Sequence, residues 1–478
     1  MLSFQDLGRS QGLEVSSAQK PVVCVQGLGF VGIAMALAVA SARDKSGAPH
    51  FNVIGVDLPD APGKEKVTAI NSGHLPFESR DPKMAHALEQ AFKAGNFFST
   101  TNADAYRLAS VSVVDIHLDV TQGEEGAPAV DFSGMRAALR TLAERMPDGA
   151  LILIETTVPP GTCEKVAMPE IQAALKQNGR APDSLLLAHS YERVMPGEQY
   201  FDSIVNFWRV FAGYTEKAAD ACESFLKKVI NVKDFPLTRL GSCTASEMAK
   251  VLENSYRAVN IAFAEEWGRF GEAVGVDMFE IINAIRVRPT HSNLRQPGFG
   301  VGGYCLTKDP LLGSVSARNL FGLNLSFPFC EMAIQANRDM PLVSLKKIKE
   351  KLGSLKGKKL LILGISYRQD VSDTRYSPSE IFATEALRMG AVVHAHDPLV
   401  TTWPEVKAEV HKEIPSAAGF DGVVLAVQHA HYREFDFGRW LKGSGALLFD
   451  ANHVLETAEL KRIAGLGVAV ASIGRGSP

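Results

Sequence analysis

This sequence has few of the features that mark secreted, membrane-spanning or nucleic-acid-binding proteins. Its six cysteines are scattered without a Cys-x-x-Cys pair, which argues against a disulfide framework or a zinc knuckle and fits a reducing compartment. No apolar run reaches the length of about 20 residues that crosses a bilayer. The 50 lysines and arginines nearly balance 53 aspartates and glutamates, so no basic surface for nucleic acid or an anionic membrane is expected. We predict a cytoplasmic protein without a nucleic-acid partner, a membrane partner or a metal site.

The start of the chain also lacks the apolar core of a secretory signal, so no leader is expected there. We interpret residues 1–20 as a loose extension or a short lead-in helix. The length of 478 residues predicts two or three domains. A hydrophobic content of 46% with 22% charged residues is typical of a globular protein.

A glycine-rich turn follows the first apolar, β-rich run and precedes an alanine-rich helical segment. Its G-x-G-x-x-G spacing is made by Gly27, Gly29 and Gly32, with Phe30 and Val31 before the last glycine. A second apolar run then ends in Asp57, at a distance along the chain that is typical of dinucleotide-binding proteins. Such glycines admit a pyrophosphate to a helix N-terminus, and the acid accepts hydrogen bonds from ribose hydroxyls. The pattern predicts NAD rather than NADP; a glycine-rich turn without a cofactor is the alternative.

Further strand-like runs at 111–120, 150–158 and 184–190 alternate with helical stretches. This alternation predicts a parallel, doubly wound sheet. Thr157 lies where the second of these runs ends, which is the edge at which such sheets bind ligands. Capping of the following helix by Thr162 is an alternative role for the same turn.

The pattern becomes helical between 241 and 284. Polar residues recur there every three or four positions, on one helix face: Glu247, Lys250, Asn254 and Arg257. Such a face is either a solvated stripe or the wall of a cleft, and the spacing is compatible with both.

The segment from Gly298 to Pro310 places one cysteine after a run of glycines. The glycines can hardly propagate a helix or a strand but allow the backbone to approach a ligand closely. Cys305 is followed by Lys308, whose charge can favour the thiolate, and by Asp309, which can hold or activate water. This is the pattern of a covalent nucleophile; a turn whose cysteine packs as a small hydrophobe is the alternative.

A second alternation of strands and helices begins after Pro341. Its first strand, KKLLILGIS, is not followed by a G-x-G-x-x-G turn, so no dinucleotide is expected there. The next loop instead carries Arg368 and Arg375, whose guanidinium groups suit a phosphorylated ligand. A surface loop that ends in a helix cap at Ser377 or Ser379 is the alternative.

In this order, these motifs resemble those of the nucleotide-sugar 6-dehydrogenases, the UDP-glucose/GDP-mannose dehydrogenase family. The resemblance rests on GLGFVG, ETTVPPGT, YERVMPG, EMAKVLEN, GFGVGGYCLTKDP and DTRYSPS. It implies an α/β fold with two Rossmann-like doubly wound domains joined by a central helical segment. After the extension at 1–20, the implied parts are an NAD-binding domain at 21–237, a central dimerisation and catalytic segment at 238–340, and a nucleotide-sugar-binding domain at 341–478. The central helices are expected to form a homodimer or a higher homo-oligomer.

The activity that the resemblance implies is a two-step, four-electron oxidation of the C6 alcohol of a UDP-sugar by NAD. The product is a uronic acid that feeds surface polysaccharide synthesis, and the path runs through a cysteine thiohemiacetal and thioester. Pro196 resembles the N-acetylhexosamine branch whereas Lys308 resembles the glucose branch, and we favour a UDP-N-acetylhexosamine. UDP-glucose or GDP-mannose as substrate, a one-step hydroxy-acid dehydrogenase and a non-catalytic paralogue are the alternatives.

Residue roles follow from the same resemblance. Cys305 resembles the nucleophile, Lys250 the oxyanion-stabilising cation and Asn254 the group that positions sugar or water. Asp309 is expected to assist hydrolysis, and Glu192 to act near C6. The remaining residues assigned to the cofactor are Thr157 and Lys308, and those assigned to the substrate are Arg193, Gly298, Gly302, Arg368 and Arg375.

The sequence departs from the family at three places. The family's catalytic threonine has no clear counterpart, and Asp119 or Thr121 is the nearest candidate. Arg368 replaces a lysine found in many members and is expected to keep the cationic contact. Asn452 stands where many relatives have arginine, which puts a sugar or phosphate contact there in doubt.

Overall fold

The computed structural model describes residues 2–122, 127–195 and 197–476, which form two compact units. The N-terminal unit contains the described residues up to Leu252 together with Leu311–Ser326. The C-terminal unit contains Glu253–Pro310 and the described residues from Phe327 onwards. The predicted central segment 238–340 therefore contributes residues to both units. Within the described ranges, no helix is long and apolar enough to cross a membrane.

The strands of the N-terminal unit form a mainly parallel sheet. They are β1 (Val22–Gln26), β2 (Asn52–Val56), β3 (Phe97–Thr100), β4 (Ala109–Val114), β5 (Val120–Gln122), β6 (Pro128–Val130), β7 (Leu151–Ile154), β8 (Leu186–His189), β9 (Val210–Gly213) and β10 (Thr238–Arg239). Among the described residues, eight of them pair in the order β10-β9-β8-β7-β4-β1-β2-β3, while β5 and β6 form a separate antiparallel hairpin. The run β3-β2-β1-β4-β7-β8 is parallel throughout and has the order of dinucleotide-binding sheets.

The C-terminal unit contains a second sheet with the same strand order. Its strands are β11 (Lys359–Leu363), β12 (Val392–His396), β13 (Glu409–His411), β14 (Gly422–Leu425), β15 (Leu447–Asp450) and β16 (Val470–Ser472). They pair in parallel in the order β13-β12-β11-β14-β15-β16. The expectation of two Rossmann-like sheets is thus confirmed.

Helices cover both faces of each sheet and form the segment between the sheets. They are α1 (Phe4–Ser10), α2 (Phe30–Ser41), α3 (Ala61–Asn71), α4 (Pro82–Ala94), α5 (Ser133–Arg145), α6 (Met168–Gln177), α7 (Asp202–Val205), α8 (Glu216–Val229), α9 (Cys243–Val274), α10 (Met278–Arg286), α11 (Tyr304–Lys308), α12 (Leu312–Val315), α13 (Pro328–Leu352), α14 (Pro378–Arg388), α15 (Ala430–Arg433), α16 (Phe437–Leu441) and α17 (Thr457–Gly465). The longest, α9, lies within the stretch 241–284 that the sequence predicts to be helical, whereas α13 begins in the predicted central segment and continues past its boundary at 340.

The alternation of side chains in β1 shows how the first sheet builds its two cores. Val23 and Val25 face the core beneath α2, whereas Val22 and Cys24 face the core on the other side. Because both faces are covered, the strand is apolar at every one of these positions, as expected for a central parallel strand.

Two sequence expectations are resolved by the local structure. The first residues form a helix rather than a loose extension: Ser3 and Asp6 cap α1 reciprocally, and Phe4 packs on Phe98 with ring centroids 4.9 Å apart. The strand predicted at 111–120 is shorter than expected, because β4 ends at Val114 and the chain then leaves the sheet.

Candidate active site

The glycine-rich turn joins β1 to α2 with a geometry that only glycine permits at two positions. Gly27 has φ of +91°, and an added Cβ there would lie 2.5 Å from the carbonyl oxygen of Asp115. A Cβ on Gly32 would lie 1.8 Å from the carbonyl oxygen of Gly27. At Gly29, by contrast, an added Cβ would meet nothing within 4 Å. The turn therefore leaves open space at the N-terminus of α2, which fits the pyrophosphate of NAD.

Asp57 follows β2 and lies against this turn. Its Oδ2 accepts a hydrogen bond of 2.9 Å from the backbone N–H of Leu28, and its Oδ1 accepts one of 2.8 Å from Leu58. The ammonium of Lys66, which the sequence analysis did not single out, donates to Oδ2 at 2.9 Å. Thr157, also assigned to the cofactor, follows β7 at the same carboxyl edge of the sheet.

The polar face of α9 is buried, which rules out the solvated-stripe interpretation. Glu247 is fully buried, Lys250 is 6% exposed and Asn254 is 4% exposed, whereas Arg257 reaches solvent. Apolar side chains instead occupy exposed positions of this helix, among them Tyr256. The buried side of this helix therefore combines polar side chains with small or branched apolar ones, such as Val251 and Ala258.

Lys250 and Glu192 meet inside the N-terminal unit. The Lys250 ammonium donates to the main-chain oxygen of Glu192 at 2.8 Å and lies 3.4 Å from its Oε1. It also lies 5.5 Å from the ring centroid of Tyr191. The guanidinium of Arg193 packs between the rings of Tyr191 and Phe207, at 5.5 and 5.6 Å. These contacts fix the lysine and hold the segment after β8 in place.

Glu247 joins α9 to the turn after β7. Its two carboxylate oxygens accept hydrogen bonds from the backbone N–H groups of Gly161 at 2.6 Å and Cys163 at 2.7 Å. Burial raises the pKa of Glu247 to about 7. Thr162 does not cap the following helix; its hydroxyl donates to the carbonyl of Pro159 at 2.6 Å.

A buried group of carboxyls near the glycine turn escaped the sequence analysis. Glu155, at the end of β7, is fully buried and its Oε1 lies 2.5 Å from Nη1 of Arg209, itself 1% exposed. Burial, followed by the Glu155 charge, raises the pKa of Asp115 well above its ordinary range. The available signals were an acid ending the apolar run LILIE and a lone arginine beside the strand VFAG.

Asp119 and Thr121, the candidates for the family threonine, do not follow β4 directly. Thr121 is exposed in the β5–β6 hairpin, and Asp119 is exposed with its Oδ1 2.6 Å from Nε2 of His117. Asp115, rather than either of these, follows β4 directly and contacts the glycine turn.

In the C-terminal unit, the residues around the cysteine form a second polar group. The side-chain amide of Asn254 donates to Oδ2 of Asp309 at 2.7 Å, and the ammonium of Lys308 lies 3.1 Å from Oδ1. Asp309 is 1% exposed, whereas Cys305 is exposed. The thiol is carried by the short helix α11 and not by the glycine loop itself, because the helix begins at Tyr304.

The glycine loop before α11 packs on the arginine-bearing loop. An added Cβ on Gly302 would lie 2.5 Å from the carbonyl oxygen of Tyr376, and one on Gly303 would lie 2.9 Å from the ring of Tyr367. A Cβ on Gly298 would lie 2.7 Å from Oδ1 of Asn452. Asn452 thus packs against the glycine loop.

Arg375 is held in place by two neighbours. Its guanidinium donates to both carboxylate oxygens of Asp373, at 2.9 and 2.6 Å, and lies 5.2 Å from the ring centroid of Tyr304. The hydrogen bonds to Asp373 raise the pKa of Arg375 above its ordinary value. Arg368 is exposed on the same loop. Ser377 caps α14, accepting from the N–H of Ser379 at 3.2 Å, as the alternative interpretation predicted for that serine.

Comparison with known proteins adds to this geometry. Models of the UDP-glucose/GDP-mannose dehydrogenase family match the chain over its NAD binding domain (residues 21–230), its central domain (244–339) and its UDP binding domain (361–457). The UDP-N-acetyl-D-mannosamine dehydrogenase of Pyrococcus horikoshii is 29% identical over 87% of this chain and 91% of the relative. The NDP-N-acetyl-D-galactosaminuronic acid dehydrogenase of Ralstonia nicotianae is 28% identical over 87% of this chain and 93% of the relative.

Solved structures agree with this match. The crystal structure of NDP-N-acetyl-D-galactosaminuronic acid dehydrogenase from Methanosarcina mazei Go1 has a TM-score of 0.77 and 26% identity, covering 100% of this chain and 98% of that one. The structure of UDP-D-ManNAc dehydrogenase from Pyrococcus horikoshii has a TM-score of 0.79 and 27% identity, covering 95% and 99%.

Proposed function

The chain belongs to the UDP-glucose/GDP-mannose dehydrogenase family of NAD-dependent oxidoreductases, and we propose that it oxidises C6 of a UDP-N-acetylhexosamine to the uronic acid. The observation that carries the proposal is the exposed thiol of Cys305 one helical turn before Asp309, whose buried carboxylate is fixed by Asn254 and Lys308. An exposed thiol can reach a substrate carbon, and a fixed carboxylate can direct water.

The glycine turn and Asp57 are the proposed NAD site. The open space at Gly29 admits the pyrophosphate, and Asp57, already oriented by the N–H of Leu28, accepts from the ribose. Bound there, NAD supplies the hydride acceptor for both oxidations. Thr157 and Lys308 are the further proposed cofactor contacts.

Cys305 is the proposed nucleophile between the two oxidations. Its thiolate adds to the aldehyde carbon and forms a thiohemiacetal, and loss of a second hydride and a proton turns this adduct into a thioester. Water then attacks the thioester carbon, its proton passes to Asp309, and the C–S bond breaks to release the carboxylate and the thiol. Asn254 keeps Asp309 in a single orientation through its hydrogen bond.

Lys250 and Glu192 are the proposed electrostatic partners of the reacting oxygen. The Lys250 ammonium is almost completely buried and anchored to the main chain, so little reorganisation is needed when negative charge develops on a substrate oxygen. A preorganised donor of this kind is typically worth about 3–4 kcal/mol in the transition state.

The arginine-bearing loop is the proposed site for the UDP diphosphate. Arg375 presents a guanidinium that Asp373 and the Tyr304 ring hold in one orientation, so little side-chain entropy is lost on binding. Arg368, Arg193, Gly298 and Gly302 are the further proposed substrate contacts.

The choice of an N-acetylhexosamine is supported by the names of the relatives. Lys308, which resembles the glucose branch in sequence, is engaged here by Asp309. Its identity therefore has an explanation that does not involve the sugar. Pro196, which resembles the N-acetylhexosamine branch, lies outside the described residues. The uronic acid formed is an activated glycosyl donor suited to surface polysaccharide synthesis.

A homodimer is proposed to form through the central helices. Large apolar side chains are exposed along α9, among them Phe263, Trp267 and Phe270, and Phe329 and Met332 are exposed on α13. A surface of this kind is typical of protein interfaces. Light scattering coupled to size-exclusion chromatography tests the oligomeric state.

An assay of NADH formation over a panel of UDP- and GDP-sugars, with mass spectrometry of the product, tests the activity. The proposal expects turnover of a UDP-N-acetylhexosamine, two NADH per product and a carboxylate at C6. Turnover of UDP-glucose or GDP-mannose alone would reassign the sugar. An aldehyde or ketone product would point to a one-step dehydrogenase. If no sugar is turned over but NAD still binds, the result would point to a non-catalytic paralogue.

A further inference from the structure

Three side chains with metal-binding atoms converge at the edge of the C-terminal sheet. β12 pairs with the edge strand β13 in parallel, with His394 opposite Glu409 and His396 opposite His411. Val393 and Ala395 point into the core on one face of β12. Because side chains alternate along a strand, His394 lies on the other face. Glu409 and His411, two residues apart on β13, share that face.

The distances among these three side chains suit one small cation. Nδ1 of His394 lies 3.1 Å from Nε2 of His411 and 3.3 Å from Oε2 of Glu409. One ligand atom from each residue lies within 4.8 Å of the others. In a tetrahedral zinc site with bonds of about 2.0–2.1 Å, neighbouring ligand atoms are about 3.3 Å apart. Two of the three distances between the protein's ligand atoms therefore already match those of such a site.

The imidazoles are also restrained by their neighbours. The rings of His394 and His411 stack at 5.2 Å with an interplanar angle of 18°, and Phe420 meets the His394 ring edge-on at 5.2 Å. Both histidine side chains are largely buried, while the Glu409 side chain is exposed. His396 on the same strand belongs to a different group, because its Nδ1 lies 2.9 Å from the hydroxyl of Tyr432.

We propose that His394, Glu409 and His411 bind one divalent transition-metal ion of the zinc type, with water completing the coordination. Two imidazole nitrogens and one carboxylate oxygen are ligands that zinc prefers, whereas calcium and magnesium prefer oxygen ligands alone. Because the ligands come from two strands, the ion links β13 to β12 and stabilises this edge of the sheet. A hydrogen bond between the two imidazoles is the competing explanation for their short distance.

Calorimetric titration of ZnCl₂ into the chelator-treated full-length chain tests the site. The wild-type chain is compared with the double variant His394→Ala, His411→Ala and with His86→Ala, which removes an exposed histidine from the N-terminal unit. We expect the double variant to bind one zinc ion fewer per chain and the control to match the wild type. The comparison allows for zinc held by the exposed Cys305 thiol, which all three chains retain. Equal stoichiometry and affinity in all three chains would overturn the proposal.

A milder variant guards against misfolding of the double variant. Glu409→Gln changes an exposed side chain and should fold as the wild type does. Loss of this ligand is expected to weaken zinc binding by more than about tenfold, the lower end of what loss of an outer-shell partner costs. Cobalt(II) in the wild-type chain should give the strong visible absorption of tetrahedral coordination. Unchanged zinc affinity in Glu409→Gln, or only the weak spectrum of hydrated cobalt, would contradict the site.

Discussion

In each Rossmann-like sheet, a turn follows the first strand, β1 or β11. The first two residues of the two turns make the same backbone contacts. Gly27 and Gly364 both have positive φ, and each donates its N–H at 2.9 Å to the last residue of the neighbouring strand. The next N–H, from Leu28 or Ile365, donates at 2.9 Å to the acid after that strand, Asp57 or Asp397. The backbone frame of a dinucleotide-binding turn is thus present twice.

The two turns differ at their third residue. Gly29 is exposed and opens directly into α2, whereas the equivalent Ser366 is fully buried. Its hydroxyl lies 3.0 Å from Nε2 of His429, a nitrogen that is also 3.1 Å from the carboxylate of Asp397. A long loop then precedes α14. The fold therefore does not decide the ligand, because one side chain and one insertion close the second site.

The substitution with the largest expected effect, Cys305→Ser, tests whether the cysteine acts in the chemistry without affecting NAD binding. Cys305→Ser should lower formation of the uronic acid by at least about 10³-fold, since a serine hydroxyl is a far weaker nucleophile toward an aldehyde than a thiolate. NAD binding, assigned to the other turn, should be unchanged. Steady-state rates and a fluorescence titration with NAD measure the two quantities. Cys330→Ser on α13 is the control, and near wild-type turnover of Cys305→Ser would remove this thiol from the mechanism.

Lys250 tests whether the N-terminal unit contributes more than the cofactor site. Replacement by alanine should lower kcat by about 10²–10³-fold if the buried ammonium stabilises charge that develops only in the transition state. The exposed Lys233→Ala is the control for loss of a positive charge. A rise in KM with unchanged kcat would instead assign Lys250 to ground-state binding of the sugar.

The fold class and NAD as the cofactor could be predicted from the sequence because both depend on local patterns. Strand–helix alternation and the spacing of Gly27, Gly29 and Asp57 are visible in one pass along the chain. The buried face of α9 could not be predicted, because spacing groups Lys250 with Asn254 but does not say whether the group faces protein or solvent. Here Lys250 and Asn254 are buried while several large apolar side chains of the same helix are exposed.

Sites built from distant segments were also beyond the sequence. The prediction of no metal site depends on the lack of a ligand motif along the chain, whereas the site proposed above depends on strand pairing, which brings His394 next to Glu409. The sequence predicts Asp115 within a strand that extends to residue 120, whereas β4 ends before it. In both cases the information lies in which segments pair, and spacing along the chain does not contain it.

Two buried acids, Glu247 in the N-terminal unit and Asp397 in the C-terminal unit, have pKa values shifted in opposite directions. Burial raises the pKa of Glu247 to about 7, whereas the pKa of Asp397 is lowered, because hydrogen bonds from His429 and backbone N–H groups outweigh its burial. The stability that Glu247 contributes is complete below its unfolded pKa of 4.5 and is lost as the pH rises through 7, by on the order of 3 kcal/mol. The stability that Asp397 contributes is present above its unfolded pKa of about 3.9 and is lost only as the pH falls below that value.

Denaturant unfolding of wild type and Glu247→Gln between pH 5 and 8 measures the Glu247 term. The wild-type free energy of unfolding should fall relative to that of the variant as the pH rises. A constant difference across this range would show that the Glu247 pKa is not raised.

Gly29→Ser copies the second turn into the first. The φ of Gly29 is −78°, which serine adopts readily, and nothing lies within 4 Å of the new Cβ, so stability should be kept. The added side chain occupies the space proposed for the pyrophosphate, and NAD affinity should fall by about 10–100-fold, the cost of losing hydrogen bonds to a charged group. Gly134→Ser, at another open position, is the control. Unchanged NAD affinity would place the pyrophosphate elsewhere.

The smallest expected effect concerns the loop that follows the second turn. Arg375→Ala should raise KM for the UDP-sugar by about tenfold, the lower end for losing a charge-assisted hydrogen bond to phosphate, and leave NAD affinity unchanged. The matched control is Arg388→Ala, an exposed arginine on α14 paired with Glu385. Because Asp373 orients Arg375 through two hydrogen bonds, Asp373→Asn should reproduce part of the effect while retaining the positive charge. If Arg375→Ala lost NAD affinity but kept sugar binding, the assignment of NAD to the first sheet and of the UDP-sugar to the second would be reversed.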